Sequence, residues 1–403
     1  MPCFPDGGTT RCGREEPAPG AGLTAGLFSG IPLFPPGKDN IIKRQRRRQR
    51  FPLRRRNIEL MRMAVIGAGS TALACAAYFQ VRGISCRLYA RDTGKAELWK
   101  HMPLTVSGEL ETSFYVPVSS SPEDIMRTSD CILIFTGAED YESVIGEIRP
   151  YLRDSHHILF MNGRWGLVRA LRLLLRDKDT PAVSVGEVSD MPFSAELSAD
   201  RTHLVFGRKK EALGYVSLGG EEGFAEVLHA LVSRVSRVSS PAATSMASAM
   251  PIIRTAGCLF NMTRIENDRN FELFRDGLTG RAADFLEACD RERLEIAKAL
   301  GIGAAPLSAE LHALLGDKTD SLSDALRRIS EGEGKDGPRL LTASFLSEDL
   351  HCAMTALCDL ADMMHTEAPR LRTLTDMMYL YRGEKREPWL TAKDLWILKQ
   401  WKR

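Results

Sequence analysis

The chain has 403 residues, 44% hydrophobic and 26% charged, the balance of an ordinary globular protein of about two domains. Its apolar runs, such as "CILIF" at 131–135, fall far short of the ~20 residues of a membrane-spanning helix, so no span is expected. The net charge of +2 is unevenly distributed: residues 1–56 hold twelve Lys and Arg against four Asp and Glu, which leaves the rest at −6 and predicts no nucleic-acid footprint there.

The first 56 residues are rich in Gly and Pro and end in "KRQRRRQRFPLRRR" (43–56). A tether to nucleic acid or an anionic membrane is one reading. A disordered, non-native extension is the favoured one, because low hydrophobicity with high charge cannot build a core. Met61 and Met63 stand directly before the first strand. The expected organisation is an extension at 1–56, an α/β domain at 57–239 and a helical domain at 240–403.

"MAVIGAGSTALACAAYFQVRG" (63–83) carries the most information. A strand at 63–66 meets Gly67-Ala68-Gly69-Ser70-Thr71-Ala72, a small-residue helix runs to about Gln80, and a second strand follows at 85–90. Gly67 permits a tight turn, Gly69 lets the backbone approach a pyrophosphate, and Ala72 allows close helix–strand packing. The first helical N–H groups would face the phosphates. The second strand ends in "YARD": Ala90 stands where NAD sites carry an acid, and Arg91 suits a 2′-phosphate. This favours NADP over NAD, although Asp92, one place later, would argue the reverse.

Further strands are expected at 130–135, 156–163, 182–197, 202–209 and 212–219, with helices at 141–152, 167–177 and 222–236. His156, His157, His203 and His229 lack metal-ligand spacing and read as strand-edge or helix-surface residues. No metal is expected. The nine cysteines are scattered, odd in number and free of any CxxC, which suits reduced thiols in a cytoplasmic protein.

From about Ser240 the β-type runs stop. An amphipathic helix is predicted over 282–302, closed by Gly301, and another over 347–364 with Ser347 as N-cap. The charged run Asp290–Arg293 reads as a solvated face. The tail at 387–403 reads as a short amphipathic helix docking on the body or on a second subunit, which allows a homodimer. The fold class is α/β, a Rossmann-type dinucleotide-binding domain followed by an all-α C-terminal domain, with the active site between them.

Over about 62–383 the chain resembles the opine dehydrogenases, through "VIGAGSTA", "VGEVSDMPF", "CLFNMTRIEN" with "FELFRDGLTG", "DRERLEIAKALGI" and "FLSED". The resemblance implies NAD(P)H-dependent reductive condensation of an amino acid amine with a 2-oxo acid. Such a site needs cationic carboxylate clamps and an acid/base pair.

The sequence departs from the family at its chemistry. Arg254 stands where the family keeps its proton-transfer histidine. Asp349 matches the partner aspartate, Ser344 stands where an arginine is expected five residues earlier, and Glu196 replaces another. Arginine cannot cycle a proton near neutral pH. Arg254 is instead expected to clamp a carboxylate and to pair with Asp349, with His351 as the nearest alternative titrating group, although i+2 on a helix points it away from Asp349. Two other readings stay open: a 2-oxo acid reductase of the ketopantoate reductase architecture, and an inactive nucleotide-binding sensor.

Overall fold

The computed structural model describes residues 61–174, 181–316, 318–319, 321–332, 337, 341 and 343–401, all within one compact unit. The basic extension lies outside the described residues.

In chain order the first half contains β1 (Met63–Ile66), α1 (Ser70–Val81), β2 (Cys86–Tyr89), α2 (Thr93–His101), β3 (Leu104–Gly108), β4 (Thr112–Phe114), β5 (Val118–Ser119), α3 (Pro122–Thr128), β6 (Cys131–Ile134), α4 (Tyr141–Ile148), β7 (His157–Phe160), α5 (Gly166–Leu174), β8 (Ser184–Val188), β9 (Phe193–Leu197), β10 (His203–Lys209), β11 (Ala212–Leu218), α6 (Glu221–Leu231) and β12 (Arg234–Arg237). The described residues form an eight-stranded sheet ordered β12-β11-β8-β7-β6-β1-β2-β5, parallel except where β11 meets β8. A smaller sheet, β4-β3-β10-β9, pairs segments about a hundred residues apart.

The second half is helical: α7 (Pro241–Ser245), α8 (Met250–Phe260), α9 (Met262–Glu266), α10 (Gly280–Ala299), α11 (Leu307–Leu315), α12 (Leu322–Gly332), α13 (Ser344–Glu348), a π-helical turn (Asp349–Met354), α14 (Thr355–Met364), α15 (Pro369–Arg382) and α16 (Ala392–Trp401). The α/β domain followed by an all-α domain thus matches the expected fold class.

The core follows the period-two geometry of the strands. β1 sends Ala64 and Ile66 into the apolar layer shared with α4, α5 and the helical half, and Met63 and Val65 into the layer under α1, α6 and the small sheet. Each fully buried Ile or Leu contributes roughly 1.5–3 kcal/mol. The sheet is therefore clamped on both faces, as a largely parallel sheet requires. No helix among the described residues is long and apolar enough to cross a membrane.

Four expectations need correction. The helix expected over 222–236 ends at Leu231, and Arg234–Arg237 instead forms β12, an edge strand parallel to β11. Ser347 is not an N-cap, because α13 begins at Ser344. His156 and His157 are buried rather than at an edge, and burial pushes the His156 imidazole down to about 4. The run at 290–293 is not a solvated face. Asp290, Glu292 and Arg293 are buried: Asp290 accepts from Leu307 N at 2.7 Å, and Glu292 accepts from Leu371 N at 2.9 Å. These carboxylates satisfy the free N–H groups at the starts of α11 and α15.

Candidate active site

The glycine turn and four strand tips or helix ends converge at the C-terminal edge of the large sheet. The order of strands reverses between β1 and β6, the place where open α/β sheets take their ligands. Gly67 has φ +131°, and a Cβ there would meet the Phe135 carbonyl carbon at 3.2 Å, so only glycine lets the turn pack against the tip of β6. At Gly69 an added Cβ would meet nothing within 4 Å, which leaves open room above the start of α1. That helix has no side-chain cap and no acidic residue in its first turn. Its first N–H groups are thus left for an anion. Thr136 Oγ1, on the adjoining loop, is buried with no hydrogen-bond partner. The cradle formed by Gly67, Ala68, Gly69, Ser70, Thr71 and Ala72 fits a dinucleotide pyrophosphate.

Arg91 follows β2 and is half exposed. It is held by Asp140 at 3.3 Å, by Glu147 at 3.0 Å and by the Ser143 hydroxyl at 3.0 Å. A 2′-phosphate would have to compete with these carboxylates. Asp92 accepts from Lys95 N at 3.1 Å and caps α2.

Arg254 lies on α8 and reaches across to the π-helical turn. Its Nη2 donates to Asp349 Oδ1 at 2.7 Å, and its Nε donates to Oδ2. The fork is bidentate, the arrangement in which a guanidinium and a carboxylate are best matched. Burial alone would lower the Arg254 guanidinium, but the charge and hydrogen bonds of Asp349 outweigh it and raise it further. The Asp349 side chain is only 2% exposed.

His351 is not brought to Asp349. It bonds Glu384 Oε2 at 2.9 Å through Nε2 and Glu139 through Nδ1, and it stacks on Tyr379. Glu196 is exposed on β9, in the small sheet.

Three residues not singled out in the sequence complete the cluster. Arg164 donates from Nη2 to Asp349 Oδ1 at 3.2 Å and is 9% exposed. Asn162 Nδ2 donates to Glu348 Oε1 at 2.6 Å, and Arg164 Nε lies 3.8 Å from the same oxygen. Burial raises the Glu348 carboxyl, against the pull of Arg164, while the neighbouring Asp349 reinforces the rise. The turn that aims Arg164 is costly: Gly163, Arg164 and Trp165 all have positive φ, of 54°, 55° and 68°. It is held from behind. Trp165 N donates to Ser245 Oγ at 2.8 Å, Ser245 donates to Glu187 at 3.1 Å, and Leu167 N donates to Glu187 at 2.9 Å. Desolvation raises this fully buried Glu187 to about 7. The dipeptide "NG" at 162–163 was the available turn signal.

Comparison with known proteins follows the same division. Residues 237–381 match the model of the NAD/NADP octopine/nopaline dehydrogenase alpha-helical domain, and residues 63–200 match that of ketopantoate reductase PanE/ApbA. A curated opine dehydrogenase from Arthrobacter sp. (strain 1C) is 23% identical over 326 residues, covering 80% of this chain and 90% of the relative. Among solved structures, octopine dehydrogenase with NADH and L-arginine superposes with a TM-score of 0.67 at 15% identity, over 83% of this chain and 91% of that one. Yersinopine dehydrogenase with bound NADP+ gives 0.65 at 14% identity, over 85% and 98%. A ketopantoate reductase from Ralstonia eutropha JMP134 gives 0.57 at 19% identity, over 80% and 99%. The likenesses to solved structures show the fold, and the helical-domain match and the curated relative support an opine dehydrogenase family for this chain.

Proposed function

We propose that the protein is an NADP(H)-using dehydrogenase of the opine type, which joins the amine of an amino acid to a 2-oxo acid by reductive condensation. The observation that carries this reading is the bidentate Arg254–Asp349 pair, with Arg164 and Glu348 beside it, Glu348 lying next to the loop after β6 on which the Gly67 turn packs. A ketopantoate-type reductase would be expected to use a lysine as acid/base, and the charged groups gathered here are Arg164, Arg254, Glu348 and Asp349.

The residues that would hold the dinucleotide are Gly67 to Ala72, with Arg91 at the ribose end. Bound there, a reduced nicotinamide supplies hydride. The chain's own part is to hold the reactants. Arg254 and Arg164 present guanidinium edges at the mouth of the site, where the carboxylate of a 2-oxo acid can share them with Asp349. Asp349, bonded to both, holds the two guanidinium groups side by side. The buried Glu187, Ser245 and Trp165 keep Arg164 aimed, so positioning comes before the chemistry.

The test is oxidation of NADPH with pyruvate or 2-oxoglutarate against a panel of amino acids. Turnover that needs both partners supports the opine reading. Oxidation by the oxo acid alone would make the protein a simple reductase. NADPH binding without turnover of any pair would make it a nucleotide sensor.

A further inference from the structure

On the opine-type reading Arg254 stands in place of the family histidine and cannot trade protons, because an arginine stays charged. Both oxygens of Asp349 are taken up by guanidinium groups. The condensation still needs a proton, because the hydroxyl of the first adduct must leave as water. Glu348 is placed for this. Its Oε1 is occupied by Asn162 Nδ2 at 2.6 Å. Its Oε2 points to the loop after β6, where a Cβ on Gly137 would lie 3.7 Å from it. Gly137 is two residues from Phe135, on whose backbone the Gly67 turn rests. One oxygen of Glu348 is therefore anchored and the other faces the strand tips where the reactants would sit.

We propose that Glu348 is the proton-transfer residue of this site, standing in for the missing histidine and delivering its proton from Oε2 to the departing hydroxyl. The inference rests on the opine-type reading. The amine adds to the oxo carbon to give a carbinolamine. Its C–O bond then breaks, the electron pair leaves with oxygen, and that oxygen takes the Glu348 proton and departs as water. The nitrogen lone pair closes the C=N bond, and the iminium carbon accepts hydride. Glu348 recovers its proton from solvent. The charged and titratable groups facing it are Arg164 on the strand-tip turn, Arg254 on α8, Asp349 and Cys352 on the π-helical turn, and Tyr141 on α4. Burial, reinforced by Asp349, outweighs the two arginines and raises the Glu348 carboxyl above the usual glutamate range.

The experiment compares the full chain with Glu348→Gln and Glu348→Asp. Without substrates, infrared titration should show a carboxylic-acid carbonyl band in the parent that Glu348→Gln lacks, with a midpoint above that of an ordinary glutamate. Absence of such a band would overturn the proposal whatever the substrate is. With an active amino acid and oxo acid pair, Glu348→Gln should lose on the order of 100-fold or more in kcat, while NADPH still quenches protein fluorescence as in the parent. A preformed cyclic imino acid needs no water to leave, so both proteins should reduce it alike. Glu348→Asp keeps the acid on a shorter arm and should recover part of the lost rate. Full condensing activity in Glu348→Gln would sink the role of Glu348 and leave the opine reading standing. A parent inactive on both pairs and imines would sink that reading, and the infrared band would still decide the state of Glu348.

Discussion

Arg254 can be tested as a structural ion-pair member by a double-mutant cycle with Asp349. Asp349 is 2% exposed and accepts three hydrogen bonds from guanidinium groups, two from Arg254 and one from Arg164 at 3.2 Å. Replacing Arg254 by Met keeps the apolar stem and removes two of the three. Stripping a buried ion of its partner costs ~3–5 kcal/mol, and the surviving Arg164 contact returns part of that, so about 3 kcal/mol is expected. Asp349→Asn should cost less, about 1–2 kcal/mol, because the Arg254 side chain is 29% exposed and can turn to water. With both changes no unpaired carboxylate remains, so the double variant should be more stable than Arg254→Met, with a coupling of about 2 kcal/mol or more.

The assay is equilibrium urea unfolding of the four proteins at neutral pH. The reasoning fails if Arg254→Met lies within about 0.5 kcal/mol of the parent, the range of an ordinary surface change. It fails equally if the single losses simply add, since the two side chains would then be energetically independent.

Three further outcomes are expected. Gly69→Val should fold normally, since an added Cβ meets nothing within 4 Å, yet weaken NADPH at least about tenfold by filling the cradle; Gly67→Ala should lose stability as well, because φ +131° and the Phe135 backbone oppose it. Arg91→Ala should weaken NADPH about tenfold with NADH unchanged, and Asp140→Asn should strengthen NADPH by freeing Arg91, both read by fluorescence titration; equal losses for both nucleotides would remove the 2′-phosphate role. Glu187 is lifted from 4.5 to about 7 in the folded state, so the native protein holds a proton that the unfolded chain has lost; stability should fall by on the order of 3 kcal/mol as pH rises from about 4.5 to 7 and then level off, and Glu187→Gln should flatten that slope in urea titrations at several pH values.

What could be read from the sequence was whatever a short window contains. The strand–glycine–helix unit at 63–83 is local, and its turn, helix and packing alanine stand where expected. Arg254 and Asp349 could be paired only through the resemblance, since 95 residues separate them. The small sheet was not legible as a separate sheet because β3 joins β10 across about a hundred residues of chain. The run at 290–293 misled for a physical reason: charge at helical spacing looks like a solvated face until it is known which helix starts it caps. Arg164 was missed because its use depends on three consecutive left-handed residues, which no propensity of Arg or Trp announces. Glu348 was not legible because nothing local in "FLSED" sets it apart from Asp349; its partners Asn162 and Arg164 lie more than 180 residues away.

These misses share a cause that bears on the chemistry. In a histidine–aspartate pair one side chain both carries charge and moves the proton. On the proposed reading Arg254, standing in place of the histidine, separates the two tasks, because a guanidinium can only carry charge. The aspartate then has no imidazole to orient and becomes an anchor for guanidinium groups, and the second of these, Arg164, comes from a strained turn that Glu187 and Ser245 must brace. On the same reading proton movement passes to a group outside the fork. Among the four charged side chains of the cluster, Glu348 alone keeps one oxygen bonded to a neutral amide and the other facing the strand tips. The proposed division of roles therefore spans four residues drawn from three parts of the chain.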